Sequence, residues 1–221
     1  MLALVHAIPE LERRTGSAPT IIGGLAVISR LGGGYRATSD LDTVNRRADS
    51  EPPQLTVLIN SGATPSDAAG AMIPTPLGDV KVDVLEVADY ELEQLPDDPG
   101  DRLHVLAHAW AAISATPLVI RATDPLRDAD LEVVVKVAET GALIAMKLQS
   151  VENRPSVKEG TDLLDIVRLT LTSETRSTAL AQLGKTWHST PSAGSLTGKT
   201  TPCAAFRLSP KAPISRTPTS T

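Results

Sequence analysis

The sequence predicts an α+β protein, a mixed sheet with helices followed by a smaller, mainly helical C-terminal part and a flexible tail. Three observations carry that prediction. Residues 80–87 alternate apolar and polar as a strand with one buried face does. Helix-length apolar segments stand between the extended ones. Hydrophobic residues make up 41% of a chain of 221, enough to build a sizeable core.

Taken in order, residues 2–14 read as a short amphipathic helix interrupted near Pro9, and residues 19–22 as an extended approach to Gly23 and Gly24. Residues 25–31 form an apolar helix stopped by Gly32, Gly33 and Gly34. Residues 35–44 fit a strand, and residues 80–87 its partner, with Lys81, Asp83 and Leu85 on one face. Between them, residues 62–71 are loop-rich and carry no clear pattern. Asp97, Asp98, Pro99, Gly100 and Asp101 form the strongest internal boundary, and a helix follows over 102–115. The Val-rich run 131–137 reads as a buried strand and residues 142–151 as an apolar helix. A last helix spans 161–171, with Thr161 as its N-cap and Asp162 in its first turn. From Thr170 onward Ser, Thr, Pro and Gly displace the periodic apolar residues. The expected division is therefore a core over 1–96, an α/β to helical region over 97–175, and a basic Ser/Thr/Pro-rich tail over 176–221. The tail's composition buries too little apolar area to offset the entropy of ordering, and a shifted reading frame would produce the same abrupt change.

Composition excludes several function classes. Aromatic residues are only 2% of the chain, so reading nucleic acid by base stacking is not its main tool. The single Cys203 rules out an internal disulfide, and no apolar run approaches the roughly 20 residues that span a bilayer. With no basic-then-apolar leader pattern, the expected compartment is a reducing cytoplasm. Six of the 21 basic residues lie beyond Glu174, the last acid, so the body is far more acidic than the net charge of −5 implies. Phosphate contacts supply most non-specific nucleic-acid affinity, so any RNA or DNA contact on such a body must be local.

The chemistry is concentrated in a few acids. Asp40 and Asp42 stand two apart on one strand and so face the same way, and Asp83 on the partner strand can complete a set of hard oxygen ligands. Three carboxylates around Mg²⁺, in one or two ions, suit the attack of a hydroxyl on the α-phosphorus of a nucleoside triphosphate. Gly23 and Gly24 open a helix whose free N–H groups can meet phosphate, with no Cβ to hold the backbone away. An acid flanked by Val82 and Val84 is costly to bury unless it serves a ligand.

Gly23 and Gly24, then Asp40-Leu41-Asp42, then Asp83 in an alternating strand form a pattern that resembles the polymerase-β-like nucleotidyltransferases. Ala145-Met146-Lys147-Leu148, followed by Arg154, Lys158 and Thr161-Asp162-Leu163-Leu164-Asp165-Ile166, is similar to the lysine and aspartate motifs of the AbiEii type, which includes the MenT-type toxins. The resemblance covers residues 21–169. It implies that Lys147 contacts the triphosphate and that Asp162 belongs to the same site, with Asp165 as a helix-stabilising alternative. It also places Gly23, Gly24, Ser39 and Lys147 around the nucleotide. Further, it implies transfer of nucleotides, often pyrimidine, to the 3′ end of tRNA, which blocks aminoacylation. A cognate antitoxin protein that phosphorylates near Ser39 is implied too. The family often has Lys-Asp or Arg-Asp where this chain has Lys158-Glu159, and its further C-terminal helices are missing or replaced by the tail.

Other signals are weaker. His104 and His108 have the four-residue spacing of helical zinc ligands but lack the glutamate and a third ligand. Arg36, Arg46 and Arg47 bracket the acid-bearing strand, as phosphate contacts or as a solvated rim. Glu10, Glu12, Arg13 and Arg14 read as a solvated helix face, and Leu103, Val105, Leu106 and Trp110 as core.

Overall fold

The structure, a computed structural model, describes residues 1–124, 126, 128–153 and 156–188. It opens with helix α1 (Leu2–Thr15), whose buried stripe of Leu4, Val5, Ile8 and Leu11 carries it straight through Pro9. The expected interruption is absent because packing of that stripe outweighs the one helical hydrogen bond a proline cannot donate. Gly16, at φ 72°, ends the helix in the left-handed conformation.

Strand β1 (Thr20–Ile21) leads into helix α2 (Gly23–Arg30), and strand β2 (Asp40–Arg47) follows. This strand begins at Asp40, so residues 35–39, expected within it, run outside the sheet. Helix α3 (Gln54–Asn60) precedes β3 (Thr64–Pro65), β4 (Gly70–Thr75) and β5 (Gly78–Ala88), which give strand order to the stretch that carried no pattern. Helix α4 (Asp89–Glu93) and helix α5 (Pro99–Ser114) come next. Asp98 caps α5 by accepting from the backbone N–H groups of Gly100 and Asp101. Strands β6 (Thr116–Asp124) and β7 (Ala129–Val137) form a hairpin, and helices α6 (Thr140–Asn153), α7 (Ser156–Leu171) and α8 (Ser173–His188) complete the described chain.

The seven strands form one mixed sheet in the order β3-β4-β5-β2-β1-β7-β6. Strand β2 pairs with β5 in parallel and β1 with β7 in parallel, while the other neighbours are antiparallel. The mixed sheet with helices that the sequence predicts is therefore present, and so is the helical C-terminal part. The sheet takes strands from both sides of residue 97, and α1 lies across β4, β5, β6 and β7. On the outermost hairpin, Val119 and Val134 are register partners exposed at 58% and 70%.

Two expectations for the C-terminal part are corrected. Helix α7 begins at Ser156, five residues before Thr161, which therefore lies inside the helix instead of capping it. Helix α8 occupies residues 173–188, where loss of order was expected, because Ala179 and Leu183 pack against the core from a mostly polar helix. The side chain of Gln182 locks it there, accepting from the Gly141 N–H at 2.7 Å and donating to Glu139 at 2.9 Å. Residues 189–221 of the expected tail, and Arg154 of the quoted motif, lie outside the described residues. No helix among the described residues is long and apolar enough to cross a membrane.

Candidate active site

Parallel pairing of β2 with β5 sets Asp40 opposite Lys81 and Asp42 opposite Asp83. Strand alternation sends Leu41, Val82 and Val84 into the core, leaving the three acids on the other face. Asp42 sits against the start of α2. Its backbone C=O accepts from Ile22 N–H at 3.0 Å, and its carboxylate accepts from the backbone N–H of Gly24. Gly23 adopts φ +62°, and a Cβ there would lie 1.9 Å from Asp42 Oδ2. A Cβ on Gly24 would come within 2.6 Å of Thr38 Oγ1. Both glycines thus make room first for side chains of the protein itself, where the sequence reading reserved that room for phosphate.

Burial, followed by the charges of Asp40 and Asp83, pushes the Asp42 carboxyl up to about 6, against the opposing pull of Gly24 N–H and Lys147. Asp83 is held by Lys81, whose Nζ is 2.9 Å away and which also reaches Asp67 at 2.7 Å. Both partners hold the Lys81 ammonium in its charged form, raising its pKa. Ser39 is exposed and donates its hydroxyl to Asp40 at 2.7 Å.

Across from these acids, Lys147 on α6 pairs with Asp162 at 2.6 Å and with Asp165 at 2.9 Å. One helical turn separates the two aspartates, so α7 presents both to the same lysine. Asp165 is fully buried and also accepts from Arg36 at 2.9 and 2.7 Å and from the Tyr35 hydroxyl. Burial raises the Asp165 carboxyl, but the bonds from Arg36, Tyr35 and Lys147 outweigh it and hold it below the usual carboxylate range. Burial and the bond to Asp165 push the Tyr35 hydroxyl up to about 12. The Arg168 guanidinium covers the Tyr35 ring at 4.4 Å. Asp165, expected as a helix-stabilising alternative to Asp162, is instead the anchor that fastens residues 35–36 to α7.

Two adjoining cavities result. The larger, about 340 Å³, is lined by Gly24, Ser39, Asp40, Asp42, Asp83, Lys147 and Asp162. The smaller, about 260 Å³, is lined by Gly23, Asp42 and Lys147 together with His104, His108 and apolar side chains. All eight residues expected at the site therefore line one cavity or the other, and Asp42 and Lys147 border both. Arg36 also lines the larger cavity. Arg46 and Arg47 do not; they pair with Asp89 and Glu86 at the end of β2 away from Asp40.

Among the described residues, no three His, Cys, Asp or Glu side chains converge as a formed metal cage. The donor chemistry nevertheless fits a hard divalent cation. Asp40, Asp42 and Asp83 face one cavity as oxygen ligands, and their mutual repulsion raises Asp42 in a way that a cation between them would relieve. His104 and His108 lie side by side with ring centroids 4.1 Å apart, and no third ligand joins them among the described residues.

Sequence reasoning missed Tyr35 and the second cavity, and it placed Lys81 on the face of Asp83 without giving it a role. Lys81 had a signal, since a lysine two residues before a strand acid shares its face. Tyr35 had none, because its partner lies 130 residues away.

No family model and no curated protein matches the sequence. Among solved structures, the chain is similar to a crystal structure of ANT(2″)-Ia in complex with adenylyl-2″-tobramycin, at 16% identity and a TM-score of 0.43 over 84% of this chain and 98% of that one. It is also similar to a solution structure of the antibiotic-resistance factor ANT(2″)-Ia, at 14% identity and a TM-score of 0.41 over 83% of this chain and 91% of that one.

Proposed function

We propose that the chain is a nucleotidyltransferase of the polymerase-β-like kind, moving a nucleotide from a nucleoside triphosphate to an acceptor hydroxyl. One observation carries this reading. Three acids on paired strands face Lys147 across a single cavity, and among the described residues each cation that borders it, Arg36 and Lys147, is already matched by an acid of the protein. Such a cavity repels a free triphosphate and admits one accompanied by divalent cations.

Asp40, Asp42 and Asp83 are the residues that would hold Mg²⁺. When bound, the cation neutralises the triphosphate and polarises its α-phosphorus toward attack. Asp83, oriented by Lys81, receives the proton of the attacking hydroxyl. Lys147, shared between Asp162 and Asp165, neutralises charge building on the departing pyrophosphate. Asp162 keeps that ammonium at the cavity wall, and the N–H of Gly24 helps orient Asp42.

The acceptor we favour is the 3′ end of tRNA, with a pyrimidine nucleotide transferred in the manner of an AbiEii or MenT-type toxin. A cognate antitoxin acting on the exposed Ser39 hydroxyl would place nearly two negative charges beside Asp40 and shut the site. A second reading, transfer to a small-molecule or protein hydroxyl, draws support from the surface. Among the described residues, Arg13, Arg14, Arg30, Arg46 and Arg121 are each paired with an acid of the protein, which makes these five less available to an RNA backbone.

The test is incubation of purified protein with total tRNA, Mg²⁺ and each labelled nucleoside triphosphate, beside an Asp42→Ala control. Label in tRNA that falls at least a thousandfold with Asp42→Ala supports tRNA transfer. Nucleotide-dependent pyrophosphate release without labelled tRNA moves the acceptor to a small molecule or protein. Neither product with any triphosphate counts against catalysis and leaves a nucleotide- or antitoxin-binding module.

A further inference from the structure

The smaller cavity adjoins the acidic one at Asp42 and Lys147, so it offers room for the base of a nucleotide whose phosphates lie by the acids. Together the two fall in the range of roughly 300–1,000 Å³ typical of small-molecule sites. The walls of the smaller one are apolar where Ile22, Leu85, Leu143 and Met146 meet, a suitable slot for a flat heteroaromatic ring.

His108 sets its polarity. A backbone carbonyl only accepts, so the 2.7 Å contact to the His104 carbonyl requires the proton on His108 Nδ1. Burial, reinforced by His104, pushes the His108 ring down to about 4, so at neutral pH it carries one proton and no charge. Nε2 is therefore a lone-pair acceptor, and it has no hydrogen-bond partner among the described residues. Of the other polar lining groups, Asp42 and Lys147 stand at the border with the larger cavity, His104 lies beside His108 with ring centroids 4.1 Å apart, and the Gln149 amide and the Ser150 hydroxyl can each donate or accept. Away from the border with the larger cavity, the carbonyl contact fixes His108 Nε2 as an acceptor.

We propose that the smaller cavity holds the nucleobase and that His108 Nε2 selects bases carrying an exocyclic amine, adenine or cytosine, over those presenting a carbonyl at the same position. An amine donates to the lone pair; a carbonyl oxygen there faces another lone pair and leaves both unsatisfied. This rests on the nucleotidyltransferase reading and narrows its substrate.

The experiment is calorimetric titration of the full chain with Mg²⁺ and matched pairs that differ at that group, ATP against ITP and CTP against UTP, with tripolyphosphate as a base-free probe. The expected result is at least tenfold tighter binding of ATP and CTP than of their carbonyl counterparts. His108→Phe, which keeps a ring but removes the acceptor, should erase that difference while tripolyphosphate binding stays unchanged. Equal binding within both pairs, or a preference that survives His108→Phe, overturns the inference and leaves nucleotide transfer standing. Failure of every triphosphate and of tripolyphosphate to bind overturns both.

Discussion

Asp42 sits where its charge is disfavoured, and that has a measurable cost. A carboxyl raised from 3.8 to about 6 in the folded protein binds its proton more tightly than in the unfolded chain. Stability therefore falls as pH rises from about 4 to about 6 and is level above, by at most about 3 kcal/mol at full burial and less for a partly hydrated group. Asp42→Asn should remove that dependence, melting higher than the parent at pH 7 and equally at pH 4 in a urea or thermal series. Gly23→Ala should act in the opposite sense, costing about 2 kcal/mol or more, because it demands a left-handed alanine and drives a methyl into the Asp42 carboxylate. Asp40, Asp42 and Asp83 were legible in the sequence because strand alternation and acid spacing are local properties. Asp165 was not: an aspartate in a helix looks solvated until Tyr35 and Arg36, far off in sequence, fold onto it.

At the scale of elements, the joint between residues 35–36 and α7 decides whether the cavity has a wall. Asp165→Ala leaves Arg36 and Lys147 facing each other without their shared acid and should cost about 3–5 kcal/mol in chemical denaturation. Tyr35→Phe removes one hydroxyl and should cost about 1 kcal/mol, a contrast that separates the ion cluster from ring packing. Gln182→Ala unfastens α8 from the start of α6 through two hydrogen bonds, and about 1–3 kcal/mol should be lost. Helix α8 escaped the sequence reading because few of its residues are apolar, and among its described apolar side chains Ala179 and Leu183 are the ones that meet the core. Strand β6 escaped it for a related reason: it is an edge strand, exposed over most of its length, with Pro117 near its start. The apolar helices α2, α5 and α6 and the alternating β5 were legible because their periodicity reflects burial directly.

For the molecule as a whole, 26 acids against 21 bases leave a general negative field, and the paired acids add a local one. Millimolar MgCl₂ should therefore raise the melting temperature more than NaCl of equal ionic strength, and Asp42→Asn should shrink the difference, as scanning calorimetry can show. The same architecture imposes an order in time. Strand β1 reaches its parallel neighbour β7 only through Thr20↔Lys136 and Ile21↔Val137, a pairing that spans more than half of the chain. A nascent chain on the ribosome must keep β1 waiting on one side until β7 has emerged, and contacts of such long sequence separation form slowly. Gly23 lies just past β1 and Asp42 lies on β2 beside it, so the site cannot take its final form before residues 129–137 have emerged, and a fragment released short of β7 lacks that seam.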